Sequence, residues 1–477
     1  MGSRSTRSSS LALAAGTALL SSACPAKTDA PVEKTVASSA ASAAVSATSE
    51  AHRVPPMPSA SARAPSGPPA DLNVILISID CLRADMPWAG YARPIAPRLT
   101  ELEAKSVDFT RAYSMSSYTS MSLGGLLGGK LPGEMRRDGY FFGFYGKENV
   151  LFPELLQASG VRTLAGHAHG YFSSSGLEQG FDRWEVVPDL KWNNTTDENI
   201  TSPRLEALAE KLLSSKADGG TGGAVPKRFF AWFHFLDPHD RYLPHEGIGP
   251  YGKTGRDAYD AEVTYTDGYV GKLLDFVAAQ PWGARTAFVV TGDHGEAFGE
   301  HHQYVHGFEL WENLVRVPLF VVIPGVAPRH IDNPTSAIDL APTILDLFGV
   351  ANNGWPPGID GGAPGLEGRS LVPDLLGATP VERDVVIDLP ATSDSDRRRA
   401  IVHGDTKLIA FGTKEYFQVF DLKDDPGELH PITKGDVFDA MLKRYRAFEV
   451  TVHDIPPTKC NEGCLNGAYA RKKDGGS

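Results

Sequence analysis

The stretch NVILISID, Asn73 to Asp80, is almost continuously apolar, rich in Val and Ile, and stops on an aspartate. A run this short, apolar at odd and even positions alike, predicts a strand buried on both faces of a parallel sheet. The same pattern recurs in VRTLA before His167, in RFFAWFHFL before Asp237 and in TAFVVTG before Asp293. Helical stretches lie between these runs, at 97–105 with a proline at the start and at 261–279. Strands alternating with helices predict an α/β domain with a mostly parallel central sheet. In such sheets the ligand site lies beyond the carboxyl ends of the strands. Four runs deliver polar residues there: Asp80, His167 with His169, Asp237 with His239, and Asp293 with His294.

Outside that core the composition sets limits. The chain has 477 residues, a formal net charge of −12 and a pI near 5.6, which argues against nucleic acid or anionic membrane surfaces as partners. An anionic substrate therefore needs a locally positive site. Beyond residue 350 a Gly/Pro-rich passage leads to three short β-like segments joined by Gly-containing turns and a terminal helix near 437–448. These predict a small antiparallel subdomain over 351–450, followed by a tail at 451–477. At the other end, 1–24 reads as a signal peptide: Arg4 and Arg7 precede the apolar run LALAAGTALL and the sequence SSAC. LSSAC resembles a bacterial lipobox, which makes Cys24 the expected lipidation site, with ordinary cleavage after Ala23 as the alternative. Residues 25–70 are Ala/Ser/Pro-rich and predict a disordered tether. The expected location is the periplasm or outer surface of a bacterium, with membrane contact only through the lipid anchor. Cys460 and Cys464 are spaced for a small disulfide loop, two free thiols or a weak metal pair.

NVILISIDCLRAD, SSYTSMSLGGLLGG, FLDPHDRY, TGDHGEAFGEHHQYVHG, SAIDLAPTILDLFG and VFDLKDDPGE, in this order from Asp71 to Leu429, resemble successive landmarks of the sulfatase family in the alkaline-phosphatase-like superfamily. The resemblance implies an α/β/α sandwich catalytic domain at 71–350, completed by the small antiparallel subdomain, and one divalent metal beside a covalent nucleophile. Asp80, Asp293 and His294 fall at metal-ligand positions, and Thr119 at the nucleophile position. His239 and His306 match residues that contact the oxyanions or the leaving group. His167 and His169 fall where relatives carry a substrate-contacting Lys and His.

The departures from the family bear on chemistry. Sulfatases usually make formylglycine from Cys or Ser in a C-x-P-x-R pattern, whereas this register reads Thr119-Ser-Met-Ser-Leu123. Formylglycine cannot come from threonine, so the expectation is direct attack by the Thr119 hydroxyl, which also joins the metal ligands. A helix starting at 120–122 would aim its free N–H groups at the same anion. Cys81 and His294 stand where a typical sulfatase has Asp and Asn. Two carboxylates, an imidazole and a hydroxyl suit zinc, manganese or iron, with calcium the family's usual ion. Cys81 reads as a small thiol packed beside the strand, with a further metal ligand as the alternative. The expected reaction is hydrolysis of a sulfate ester, or a related anionic ester, of a small molecule or glycan through a Thr119 adduct. The alternatives are a Thr-dependent phosphodiesterase or phosphonate monoester hydrolase and an inactive anion-binding surface lipoprotein. Oligomeric state is not legible in the sequence.

Overall fold

A computed structural model of the chain describes residues 68–193, 196–197, 199–214, 228–351, 367–392, 395–412 and 416–457. Cys24, Cys460, Cys464, the signal and the tether up to residue 67 lie outside the described residues. The central sheet has eight strands: β1 Asn73–Ile79, β2 Val107–Phe109, β3 Arg162–His167, β4 Arg183–Val186, β5 Phe229–Phe235, β6 Thr286–Gly292, β7 Leu319–Val322 and β8 Arg329–Ile331. Their order is β8-β2-β7-β6-β1-β5-β3-β4. β1 sits at the centre, parallel to both β5 and β6, and β3 is parallel to β5 and β4. β7 runs antiparallel to β6 and β2.

The continuous apolar pattern of β1 has a direct cause. Successive side chains point to opposite faces, and both faces are covered. Val74 and Leu76 join a core with helices α2 (Thr119–Gly128), α3 (Phe152–Ala158) and α6 (Leu340–Leu347). Ile75, Ile77 and Ile79 join another with α1 (Pro97–Glu103), α4 (Ser202–Ser214) and α5 (Gly255–Ala278). The result is the expected α/β/α sandwich. Helix α5 begins six residues before the predicted start, because a capping box formed by Thr254 and Asp257 satisfies its first N–H groups there.

Past residue 384 the chain forms a four-stranded antiparallel sheet in sequential order: β9 Val385–Leu389, β10 Arg398–His403, β11 Thr406–Phe411 and β12 Tyr416–Asp421. One face packs on helix α7 (Asp436–Glu449) through Ile401, Leu408, Val419, Met441 and Tyr445. The other packs on Leu310, Trp311 and Leu314 of the catalytic half, so the small sheet shares a core with the segment that follows the histidine-rich loop. No helix among the described residues is long and apolar enough to cross a membrane.

Candidate active site

The three central strands β1, β5 and β6 end side by side, so the residues after them converge without any long loop. Asp80 follows β1, and Asp293 and His294 follow β6; all three are at most 2% exposed. One ligand atom from each lies within 4.8 Å of the others. Their orientation is set by bonds on the far side of each group. Asp293 Oδ1 accepts from the backbone N–H groups of Cys81 (3.2 Å) and His294 (2.9 Å), while its buried Oδ2 has no hydrogen-bond partner. His294 Nδ1 donates to the Gly295 carbonyl at 2.9 Å, which puts the ring proton there and leaves the Nε2 lone pair facing inward. That nitrogen lies 3.5 Å from Asp293 Oδ2 and 3.6 Å from Asp80 Oδ1.

Three acceptors thus converge with only the neutral Thr119 hydroxyl and Cys81 thiol as donors beside them, an arrangement that a cation resolves. The ionisation equilibria agree. Burial pushes the Asp293 carboxyl well above its ordinary value, and the Asp80 charge adds to this. Asp80 is opposed by burial as well, yet the hydrogen bond from His234 and the charge of His239 hold it well below the usual range. Burial and the His306 charge take His294 down to about 3, so its imidazole is neutral and able to ligate. The donor set fits a divalent ion, and two carboxylates with one imidazole suit zinc, manganese or iron.

Thr119 opens helix α2. Its hydroxyl lies 3.1 Å from His294 Nε2 and 3.4 Å from Asp80 Oδ2. The N-cap residue Tyr118 makes no side-chain cap bond, so the first turn keeps donors for an anion. The helix starts one residue earlier than the sequence indicates, which brings Thr119 into its first turn. Gly124 is required by packing: a Cβ there would lie 2.5 Å from the Tyr145 ring.

Two histidines face this centre. His306 Nδ1 is 3.2 Å from Glu296 Oε1, and its ring lies 4.3 Å from that of His294 and 5.1 Å from that of His239. Burial disfavours its protonation, but the Glu296 carboxylate outweighs this and raises its pKa. With Nδ1 engaged by Glu296, Nε2 is the nitrogen left for a substrate. His169 accepts the Tyr171 N–H at Nδ1 (2.9 Å), so its proton sits on Nε2; the ring stacks on Phe142, 6.2 Å from His239.

Two expectations are corrected. His167 does not reach the centre: it is fully buried, boxed by Phe172, Trp184 and Trp232 at ring distances of 4.3, 4.0 and 4.5 Å. Burial holds its pKa well below the usual value. Being the last strand residue, it follows the pleat into the core rather than the edge. Asp237 is also absent from the centre, because its carboxylate caps α4 through the N–H groups of Thr201 (2.6 Å) and Ser202 (2.8 Å). Cys81 is buried as expected, but its Sγ lies 3.2 Å from Asp80 Oδ1 and 3.5 Å from His306 Nδ1, inside the cluster.

The sequence reading missed His234 and Glu296, both fully buried. His234 sits in β5 with its Nε2 3.2 Å from Asp80 Oδ2, and a polar residue inside so apolar a strand was the available signal. Glu296 stands two residues after His294 and meets His306; nothing in its spacing marks it.

Residues 72–350, more than half of the chain, match the sulfatase family. The chain belongs to the sulfatase family. A second match, to the C-terminal part of N-sulphoglucosamine sulphohydrolase, covers residues 299–447. Choline-sulfatase of Rhizobium meliloti (strain 1021) is 30% identical over 232 residues, 46% of this chain and 43% of the relative. The ulvan-active sulfatase of Formosa agariphila is 25% identical over 347 residues, 61% of this chain and 64% of the relative. The matched region thus spans about half the length of these relatives. The crystal structure of the phosphonate monoester hydrolase of Agrobacterium radiobacter superposes with a TM-score of 0.63 at 17% identity, over 80% of this chain and 95% of the other, and at that identity it speaks for the fold alone. The family is one of sulfuric ester hydrolases, with a divalent metal typical of its members.

Proposed function

We propose that the chain is an exported, metal-dependent hydrolase that cleaves sulfate esters through a covalent intermediate on Thr119. The observation that carries this reading is the Thr119 hydroxyl held 3.1 Å from His294 Nε2 at the uncapped start of α2, beside three converging acceptors. Asp80, Asp293 and His294, with Thr119 itself, would hold the divalent ion. When bound, that ion supplies Lewis acidity that lowers the pKa of the Thr119 hydroxyl.

The chain's own residues do the rest. The Thr119 hydroxyl gives its proton to solvent, its oxygen attacks sulfur in line, and the bond from sulfur to the alcohol oxygen breaks. His306, held in its cationic form by Glu296, gives its proton to the departing oxygen, with His239 beside it against the anionic oxygens. The free N–H groups of α2 stabilise the charge on the transferring group. Water then gives one proton to the now neutral His306 and attacks sulfur, the bond from sulfur to the Thr119 oxygen breaks, sulfate is released, and the Thr119 oxygen takes a proton back from solvent. Substrates of this class are sulfated small molecules or glycans, in line with choline-sulfatase and the ulvan-active sulfatase among the relatives.

A second reading is favoured by Thr119 itself. A hydrated formylglycine can eject sulfate by elimination, whereas a threonine ester must be attacked again at the central atom. That route serves phosphoryl and phosphonyl esters equally well. Hydrolysis of nitrophenyl sulfate, phosphodiester and phosphonate by the wild type and Thr119→Ala separates the readings. Sulfate turnover lost in the variant supports the first, phosphoester or phosphonate turnover lost supports the second, and no turnover of any ester with metal bound leaves an anion-binding lipoprotein. Lipid anchoring at Cys24 is tested by membrane fractionation of wild type and Cys24→Ala, which on this reading moves the protein to the soluble fraction.

A further inference from the structure

Behind Asp80 lies a buried chain of hydrogen bonds that takes no part in the steps above. Trp232 Nε1 lies 2.8 Å from Ser78 Oγ, Ser78 Oγ lies 2.8 Å from His234 Nδ1, and His234 Nε2 lies 3.2 Å from Asp80 Oδ2. Every member is fully buried. The strand register places them: His234 is the partner of Ser78 across the β1–β5 pair, and Trp232 lies two residues before His234 on the same face.

The direction of every proton follows from the chemistry of the groups. An indole nitrogen only donates, so Ser78 Oγ accepts from Trp232. A carboxylate only accepts, so the nitrogen facing Asp80 carries a hydrogen. In the neutral ring that leaves Nδ1 as the acceptor, and the Ser78 hydroxyl donates to it. The tryptophan thereby fixes the serine rotor, the serine fixes the histidine tautomer, and the histidine fixes one oxygen of Asp80.

We infer that His234 is a positioning residue that confines Asp80 to one-oxygen ligation and thereby sets both the affinity and the selectivity of the metal site. Oδ2 is taken by two groups, His234 Nε2 at 3.2 Å and the Thr119 hydroxyl at 3.4 Å, whereas Oδ1, with only the weakly bonding Cys81 thiol at 3.2 Å, lies 3.6 Å from His294 Nε2. Calcium takes six to eight oxygen ligands and often two from one carboxylate, whereas zinc and manganese need fewer. A carboxylate with one oxygen tied down favours the smaller ions. The inference rests on the proposed metal site.

The test is competition against a chromogenic chelator for Zn²⁺, Mn²⁺ and Ca²⁺, each added alone to the metal-free full chain, with thermal unfolding recorded for every variant. Wild type should bind Zn²⁺ or Mn²⁺ more tightly than Ca²⁺. His234→Ala should lose roughly 10- to 100-fold in affinity for the smaller ions, the range for losing such a supporting bond, and should narrow the preference over Ca²⁺. His234→Gln, whose amide can still donate to Asp80, should recover part of the loss. Ser78→Ala, a far smaller change, should weaken binding in the same direction and keeps the test open if His234→Ala fails to fold. Folded variants with unchanged affinity and unchanged selectivity would overturn the inference. A wild type that binds none of the three ions would instead overturn the metal reading beneath it.

Discussion

On the small C-terminal sheet, Asp388 and Arg399 face each other across paired strands and are both essentially unexposed. Arg399 Nε donates to Asp388 Oδ1 at 2.8 Å, its NH2 donates to Asp454 at 2.7 Å, and the Gly133 N–H satisfies Asp388 Oδ2 at 2.8 Å. At the carboxyl edge of the central sheet, Asp80 and Asp293 are equally buried, yet among the described residues their ion-pair partners are only His234 and His294, with no arginine or lysine, and Asp293 Oδ2 has no hydrogen-bond partner. Burial depth is the same in both places. The difference is where the compensating charge comes from: in one it is built into the chain, in the other it must arrive. Desolvated charge is tolerated in a fold when it is paired and bonded, so a centre that breaks this rule points to a ligand. A few residues away, Glu296 and His306 balance one another, so a single divalent ion against Asp80 and Asp293 leaves the whole centre neutral.

The largest expected effect lies on the active-site side. Thr119→Ala should reduce turnover by about 10⁴-fold or more, the scale of losing a nucleophile, while chelator competition shows that metal still binds. Turnover retained at even a tenth of wild type would remove Thr119 from the chemistry.

Asp388→Asn and Asp293→Asn then set the two clusters against each other in the metal-free protein. The first strips a buried arginine of a charged partner and should lower unfolding stability by about 3 kcal/mol or more. The second replaces a carboxyl that burial and the Asp80 charge already push toward its neutral form, and should leave stability unchanged or raised, measured in the same denaturant titration. Equal losses at both positions would dissolve the contrast.

Metal itself gives the next effect. Ion at about 100 times its dissociation constant should add about 2.7 kcal/mol to unfolding stability, all of it removed by a strong chelator. Because the Asp293 carboxyl is pushed up in the metal-free protein, binding should displace a proton and affinity should climb as pH rises. Titration calorimetry in two buffers of different ionisation enthalpy counts that proton.

The smallest effect tests a third buried carboxylate. Glu262 lies 2.5 Å from His245, and burial pushes it up from 4.5 to about 7 despite that partner. A raised carboxyl favours folding while protonated, so its contribution is complete below pH 4.5 and is lost as pH rises through about 7. Glu262→Gln should flatten the stability curve over this window by roughly 1–3 kcal/mol. An unchanged slope would show that His245 neutralises the group.

Much of this was legible from the primary structure because strand ends are a local matter. The apolar runs gave β1, β5 and β6, and the residues just beyond them gave Asp80, Asp293 and His294, since a chain leaving a buried parallel strand has one edge to emerge on. Thr119 came instead from the resemblance of SSYTSMSLGG to the family's nucleophile turn. Where the reading failed, the decisive quantity was side-chain direction. His167 and Asp237 sit at strand ends like the others, but one turns into an aromatic box and the other caps a helix.

What the sequence by itself determined is an α/β domain with a mostly parallel sheet, the small antiparallel sheet after it and the edge on which the chemistry collects, because periodicity and local polarity suffice for those; the sandwich was what the family resemblance implied. Only the tertiary structure decided which edge residues meet, that His234 stands behind Asp80 and Glu296 behind His306, and that one cluster of buried acids lacks its counter-charge. Those facts depend on the course of a loop for Glu296 and His306, ten residues apart, and on strand register for His234 and Asp80, 154 residues apart. No local pattern encodes such a distance, since the contact exists only once β1 and β5 have paired.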